Sequence, residues 1–246
     1  MIECLKWDNN EILIYSIICL NIKDNVNISS KKLTSKERIG PHNIDIISMI
    51  IGSTLGDSHL EKRKNGIGTR VIFEQSNRNV EYLIWFHAYF SSRGYCSSIK
   101  PKLKIRIKQE GKVYYQYRIG SYTFSSFNWI HEIFYKLVDG KYIKLVPLNV
   151  EEYLTPLALA IWFMDDGSRK GKGKGASIAT NCFTLEEVNF LCKVLKSKYN
   201  IIATSNKSGK NKGHIIYIHS NSMKLFTSIV KPYLLPSLYY KLGFYK

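Results

Sequence analysis

Two aspartates stand out because each closes an apolar stretch and each is followed, far downstream, by a lysine in a matching setting. Asp57 follows Ile50-Ile51-Gly52-Ser53-Thr54-Leu55-Gly56, and Asp166 follows Leu159-Ala160-Ile161-Trp162-Phe163-Met164-Asp165. The lysines are Lys144, in Tyr142-Ile143-Lys144-Leu145, and Lys241, in Tyr239-Tyr240-Lys241-Leu242. The separations are 87 and 75 residues (144 − 57 and 241 − 166), a difference that loops absorb. Carboxylates brought together repel, and cations between them relieve the repulsion. Mg²⁺ suits such a place: it takes oxygen ligands, keeps several waters and is usually shared by one or two carboxylates and substrate phosphates. The plainer readings stand beside this one. An Asp near a helix end is common, Asp165 reads mainly as a solvated helix-end acid, and a lysine is ordinarily a surface residue. The recurrence of the setting favours a shared role for Lys144 and Lys241.

The elements that must position these residues also occur twice. The apolar stretches read as helices, and in the first of them Gly52 and Gly56 lie four apart on one face. Ile161 and Asp165 hold the matching places in the second, so Ala158 and Ala160 are the candidates there for close contact. A basic, glycine-bearing stretch follows each helix: Lys62-Arg63-Lys64-Asn65-Gly66, and Arg169-Lys170-Gly171-Lys172-Gly173-Lys174-Gly175. Both read as hairpin loops. Amphipathic helices come next, around Val80 to Ser91 and around Thr184 to Lys198, the second opening with a Thr184…Glu187 capping box. A second hairpin and a final helix complete each copy. The expected class is α+β with antiparallel sheets. The expected organisation is an N-terminal extension over 1–40, a first repeat over 41–140, a linker over 141–155 and a second repeat over 156–246.

Composition points to the partner. The formal net charge of +17, from 36 Lys and Arg against 19 Asp and Glu, predicts a polyanion, nucleic acid first. The longest apolar run, Ile12 to Leu20, is far short of the ~20 residues of a membrane span. The N-terminus resembles neither a secretory signal nor a transit peptide. Five cysteines, Cys4, Cys19, Cys96, Cys182 and Cys192, with no close pair, read as free thiols in a reducing compartment. Abundant Ile, Lys, Asn and Tyr with scarce Ala and Pro is the residue set of AT-rich codons, and suggests an organellar, mitochondrial origin.

An apolar helix ending in Asp, twice in a basic chain of this size, resembles the monomeric, two-motif LAGLIDADG homing endonucleases encoded in organellar introns. The words that carry the resemblance are Leu55-Gly56-Asp57, Trp162-Phe163-Met164-Asp165-Asp166-Gly167, Tyr153-Leu154-Thr155-Pro156, Lys231-Pro232-Tyr233-Leu234-Leu235-Pro236 and Gln75-Ser76-Asn77. They span roughly residues 40 to 246. The resemblance implies two pseudo-symmetric αββαββα repeats, packed through the motif helices, whose antiparallel sheets form a DNA-binding saddle. It also implies that Asp57 and Asp166 come together to bind Mg²⁺, with Mn²⁺ as a substitute and Ca²⁺ supporting binding without cleavage. Carbonyl oxygens near Gly56 and Asp165 would complete the coordination, Lys144 and Lys241 would be the active-site lysines, and Gln75 would order solvent near the metal. The implied reaction is hydrolysis of one phosphodiester per strand of double-stranded DNA by a monomer.

Ile99-Lys100-Pro101-Lys102-Leu103-Lys104-Ile105-Arg106-Ile107-Lys108 alternates apolar and cationic residues, so a strand here would line Lys100, Lys102, Lys104, Arg106 and Lys108 along one face. At ~3.3 Å per residue about nine residues span about 30 Å, or roughly nine base pairs. Two halves would then cover roughly 18–20 base pairs of an asymmetric site. Arg63, Arg70, Arg118 and Arg169 are candidate base readers. Lys170, Lys172 and Lys174 of the 169–175 hairpin are candidate phosphate contacts, and Lys62 and Lys64 are further candidates for DNA binding. The rivals are a group I intron RNA maturase and a DNA-binding regulator of the same fold without catalysis; retention of Asp57, Asp166, Lys144 and Lys241 disfavours both.

Overall fold

The computed structural model describes residues 33–62, 66–107, 111–171, 174–209 and 212–243. Most of the expected N-terminal extension, together with Arg63, Lys64, Lys108 and Lys172, therefore lies outside the described residues. Thr34–Lys246 is one unit, and it is assembled around two helices.

The first, α1 (Ile44–Leu55), starts where Asn43 accepts a hydrogen bond from the Asp45 N–H, satisfying a donor that the helix itself leaves free. Every residue from Ile46 to Leu55 is buried, as expected of a helix that is apolar all round. Strands β1 (His59–Lys62) and β2 (Thr69–Ser76) follow, then helix α2 (Val80–Ser92), strands β3 (Leu103–Ile107) and β4 (Val113–Gly120), and helix α3 (Asn128–Phe134). A small hairpin of β5 (Tyr135–Val138) and β6 (Lys141–Lys144) and the single turn α4 (Val150–Tyr153) lead to the second helix, α5 (Pro156–Asp166). Thr155 caps α5, accepting from the Ala158 N–H, and Pro156 occupies the first turn, where its missing N–H costs nothing.

The second half repeats the design with β7 (Gly167–Arg169), β8 (Ala176–Ala179), α6 (Leu185–Tyr199), β9 (Ala203–Lys207), β10 (His214–Ile218) and α7 (Met223–Val230). The sheet orders match, β1-β2-β4-β3 in one half and β7-β8-β10-β9 in the other, with every pairing antiparallel. The capping box at Thr184 and Glu187 is present, with both hydrogen bonds made.

Each sheet turns one face to the helices. Leu60, Val71, Phe73 and Ile119 are buried in the core from one side of the first sheet, and Phe73 stacks on Phe86 of α2 at 4.2 Å between ring centres. Ala176, Ile178, Ile216 and Ile218 do the same in the second half. Each fully buried side chain of this size contributes about 1.5–3 kcal/mol, so alternation along the strands fixes which face turns outward.

One expectation needs correction. The alternating basic strand starts later than the sequence pattern: β3 (Leu103–Ile107) begins at Leu103, so Lys100 and Lys102 precede it. Pro101 has no N–H to give a ladder and restrains the residue before it. The matching Tyr-x-Lys-Leu quartets also differ in backbone, since Lys144 ends strand β6 whereas Lys241 lies in the 3-10 helix Pro236–Leu242.

The two helices α1 and α5 pack directly on one another. Ser48 Oγ accepts from Thr155 Oγ1 at 2.8 Å, Gly52 faces Ala158 and Ile161, and Gly56 faces Asp165. These three positions on α1 are successive i, i+4 steps along one face. A methyl group added at Gly52 would stand 2.3 Å from the Ala158 carbonyl oxygen and 2.9 Å from the Ile161 Cβ. Gly52→Ala gains about 1 kcal/mol of helix propensity but costs about 1–3 kcal/mol of overpacking against backbone, and the rigid contact should win. We expect a melting temperature lower by roughly 2–8 °C. A thermal melt that is unchanged or raised would show that the seam has slack.

Candidate active site at the helix seam

The ends of α1 and α5 hold the candidate residues. Gly56 stops α1 with a backbone that leaves helical space (φ −94°, ψ −127°), and Asp57 follows it, exposed. On the other side Asp165 and Asp166 form the last turn of α5 before Gly167. A side chain at Gly56 would collide with the Asp165 carboxyl at 2.5 Å. The missing side chain allows Asp165 to cross the seam and accept the Asp57 N–H at 3.2 Å.

Asp165 is thus not the solvated helix-end acid that its sequence position suggests. Its Oδ1 and the hydroxyl of Tyr82 from α2 are buried near one another, and neither has another hydrogen-bond partner. Burial, then the charges of Asp57 and Asp166, push Asp165 well above the usual carboxylate range, partly opposed by Tyr82 and the Asp57 N–H. Tyr82 is itself raised well above the usual phenol range, by burial first and then by Asp165. Asp166 is raised to about 7, by burial first and then by the Asp57 charge, while Lys144 and Lys241 pull it down.

Both lysines reach helix ends, where unpaired carbonyls and the helix dipole attract cations. Lys144 Nζ donates to the carbonyl oxygens of Gly56 at 3.1 Å and Ser58 at 3.3 Å. Lys241 Nζ donates to the carbonyl oxygens of Met164 and, at 3.0 Å, Asp165. Lys241 is 9% exposed, so the surface-lysine reading does not hold for it. Burial lowers the pKa of both lysines, and the acids oppose that shift. The same role is therefore met from a strand in one half and from a 3-10 helix in the other.

Gln75 completes this group. It lies at the inner end of β2, 5% exposed, donates from Nε2 to Asp57 Oδ2 at 2.7 Å and accepts at Oε1 from Asn79 Nδ2 at 3.1 Å. The structure therefore gathers Asp57, Asp165, Asp166, Lys144, Lys241 and Gln75 at the seam. Sequence reasoning missed Tyr82 and Asn79, which follow Gln75 by seven and four residues; only the buried hydroxyl near Asp165 marks Tyr82, and no sequence signal does. It also missed Cys182, whose thiol is raised by burial and lowered by Lys144 nearby.

The basic candidates lie elsewhere. Lys104 and Arg106 of β3 are exposed and share the outer face of the first sheet with Arg70 and Arg118. Lys100 and Lys102 are exposed before β3, and Lys170 and Lys174 are exposed in the β7–β8 loop. Lys62 pairs with Glu132 at 3.4 Å. Arg169 is held inside its own half, donating to the carbonyl oxygens of Leu242 at 3.0 Å and Gly171 at 3.3 Å, where it ties β7 to the C-terminal segment.

Comparison with known proteins agrees with this architecture. The profile of the LAGLIDADG DNA endonuclease family matches residues 47–226. The chain is 42% identical over its whole length to the cytochrome b mRNA maturase bI2 of Saccharomyces cerevisiae, of which it spans 59%. It is 40% identical over 64% of its length to the intron-encoded endonuclease ai4 of Dictyostelium discoideum, covering 98% of that protein. Among solved structures, the homing endonuclease I-WcaI bound to its DNA recognition sequence superposes with a TM-score of 0.75 at 28% identity, covering 92% of this chain and 99% of that one. The chain belongs to the LAGLIDADG DNA endonuclease family.

Proposed function

We propose that this protein is a site-specific, metal-dependent endonuclease that cuts both strands of a long, asymmetric DNA duplex of roughly 20 base pairs. The observation that carries the proposal is the concentration of Asp57, Asp165 and Asp166 between two lysines at one helix seam, beneath two matched sheets. Similarity to I-WcaI, a protein solved on its DNA recognition sequence, supports the same class of substrate. We further read 41–140 and 156–246 as the two repeats, and the presence of both motif aspartates in one chain supports a monomer.

A divalent ion fits the donor set. Among the described residues no three His, Cys, Asp or Glu side chains are grouped to hold a metal by themselves. The oxygen atoms here are instead two carboxylates and two helix-end carbonyls, and Mg²⁺ is usually held by few carboxylates plus substrate phosphates. The Asp57 charge raising Asp166 is repulsion of the kind a cation relieves. Asp57 and Asp166, with the carbonyl oxygens of Gly56 and Asp165, would hold Mg²⁺, which supplies activation of a water and stabilisation of the departing 3′ oxygen.

The chain's own groups do the rest. Gln75 fixes one Asp57 oxygen by its hydrogen bond. Lys144 and Lys241 hold positive charge beside the carboxylates, where it stabilises charge that develops on the phosphate. Lys62, Arg70, Lys100, Lys102, Lys104, Arg106, Arg118, Lys170 and Lys174 form the proposed DNA surface, with Lys side chains on phosphates. Arg169 is withdrawn from that set by its ties to Leu242 and Gly171.

The competing reading is a group I intron RNA maturase, favoured by the relative of that name at 42% identity. The same relative and the AT-rich residue usage support mitochondrial encoding. Incubation with a random duplex library in Mg²⁺ and in Ca²⁺, with sequencing of cut and bound molecules, separates the two. An endonuclease gives double-strand breaks in one long asymmetric motif in Mg²⁺ and binding without breaks in Ca²⁺. Specific capture of intron RNA with no duplex preference would establish the maturase instead.

Asp57→Asn and Asp166→Asn should each reduce double-strand cleavage by on the order of a thousandfold or more while leaving binding in Ca²⁺ largely intact; a variant that still cuts would remove the two-carboxylate assignment. Stability should move the other way. Asp166 titrates near 7 in the fold, above the ordinary carboxylate value, so the stabilisation from its protonated form is complete at low pH and is lost as pH rises through about 7. With metal chelated, Asp166→Asn should therefore melt several degrees above wild type at pH 8, at roughly 2–4 °C per kcal/mol, and the gap should close towards pH 5. Equal melting temperatures at pH 8 would show that Asp166 carries no such penalty.

A further inference from the structure

We infer that Glu61 sets base preference in one half of the binding site by holding Arg70 and Arg118 for guanine, an inference that rests on the endonuclease reading above. Glu61, Arg70, Glu74 and Arg118 share the outer face of the first sheet: Glu61 pairs across the ladder with Arg70, and Glu74 with Arg118. Arg70 turns its Nε and Nη2 to Glu61 Oε2 at 2.7 and 2.5 Å. Arg118 gives Nη2 to Glu61 Oε1 at 3.0 Å and Nε to Glu74 Oε1 at 3.4 Å. One carboxylate thus grips two guanidinium groups from different strands.

The network is compact. Its four side chains are only 28–33% exposed, whereas Glu132 in the neighbouring Lys62 pair is 63% exposed. Ile72, between Arg70 and Glu74 on this outer face, is 1% exposed although it is not part of the main core. Four side chains drawn together over an apolar residue have lost much of the rotamer freedom that a free arginine gives up on binding.

Its charge argues against a role in phosphate affinity. Two carboxylates on a surface that must approach a polyanion oppose binding in general, and pairs this exposed add little stability. What they supply is orientation. A guanidinium carries five N–H donors in a fixed fork. In both arginines the Nε side is occupied, and among the described residues Nη1 has no protein partner. The outer Nη1–Nη2 edge is left for the bidentate contact with guanine N7 and O6. Because both forks converge on one carboxylate, their outer edges address neighbouring base pairs, one or two steps of ~3.4 Å apart.

Among the described residues the second half has no such device. The outer residues of its sheet are Ser168 and Ser177, hydrogen-bonded at 3.0 Å, with Thr204, Tyr217, Ala179, Ile215 and Asn206 on the same face of the ladder, none of them an arginine or a carboxylate. Hydroxyls accept or donate and discriminate weakly between bases. The guanine pair should therefore occur in one half-site only.

The experiment selects duplexes from a random library in Ca²⁺ with the full-length wild type and with Glu61→Gln, Arg70→Lys and Arg118→Lys, each checked by a thermal melt. Wild type should enrich a long motif with two guanines at adjacent or next-adjacent positions in one half. Arg70→Lys should relax one of them and Arg118→Lys the other, each by roughly 5- to 150-fold in base discrimination. Glu61→Gln should relax both and leave the remaining positions of the motif unchanged. Unaltered preferences in Glu61→Gln, or a uniform weakening at every position, would overturn the inference and leave Glu61 a structural residue. If Glu61→Gln melts below the selection temperature, the two arginine variants decide: relaxed positions that are not neighbours, or none, would overturn it. A wild type that enriches no motif would instead defeat the endonuclease reading, and this inference with it.

Discussion

The close approach of α1 and α5 is the constraint on which the rest of the structure depends. Without side chains at Gly52 and Gly56, the backbone of one helix can lie against Ala158, Ile161 and Asp165 of the other. That contact does two opposed things. It buries two helices that are apolar on almost every side, which favours folding, and it sets Asp165 and Asp166 at the seam beside the exposed Asp57, which does not. The raised Asp165 and Asp166 carboxyls are the measure of the second effect. Lys144 and Lys241 offset part of it by bringing charge to the same helix ends.

How much of this was legible in the sequence follows from which interactions are local. Helices and capping residues read directly, because their signals are periodic and near: Thr184 with Glu187, Thr155 with Pro156, and the apolar runs themselves. The repeat was visible because Asp57 and Asp166, and Lys144 and Lys241, recur in matched settings. The basic strand was placed as starting at 99, four residues before Leu103, because alternation alone does not register the N–H that Pro101 lacks. The buried state of Asp165 was illegible, since it depends on Gly56 across the seam, 109 residues away (165 − 56). Tyr82 was hidden for the same reason: a tyrosine in an aromatic helix reads as core, and only the fold shows that its hydroxyl ends beside a carboxyl.

Equal sequence words did not give equal structures. Lys144 arrives on a strand and Lys241 on a 3-10 helix, yet both ammonium groups find the carbonyl oxygens that end a motif helix. A flexible four-carbon stem tolerates different backbones as long as its charge reaches the same field. The sheet faces diverge more. One half carries a network of arginine and glutamate, the other hydroxyl, apolar and amide side chains, although strand order and pairing are the same. Position is fixed by the core face of each strand, which leaves the outer face free to differ.

The electrostatics of the seam bear on what the chain is for. A protein that only bound RNA through its basic surface would have no use for a cluster of acids at the junction of its halves, and a neutral residue at Asp166 would make the native state more stable above pH 7. The cluster is supported by Gln75, which fixes Asp57, and by two lysines whose own burial is unfavourable. Each of these groups bears a cost that the others partly relieve, and none is needed to close the hydrophobic core. Such strain persists in proteins where the arrangement itself does the work. On the proposed function, the repulsion that weakens the fold is the feature that would give a cation, and a phosphate with it, a reason to bind at the seam.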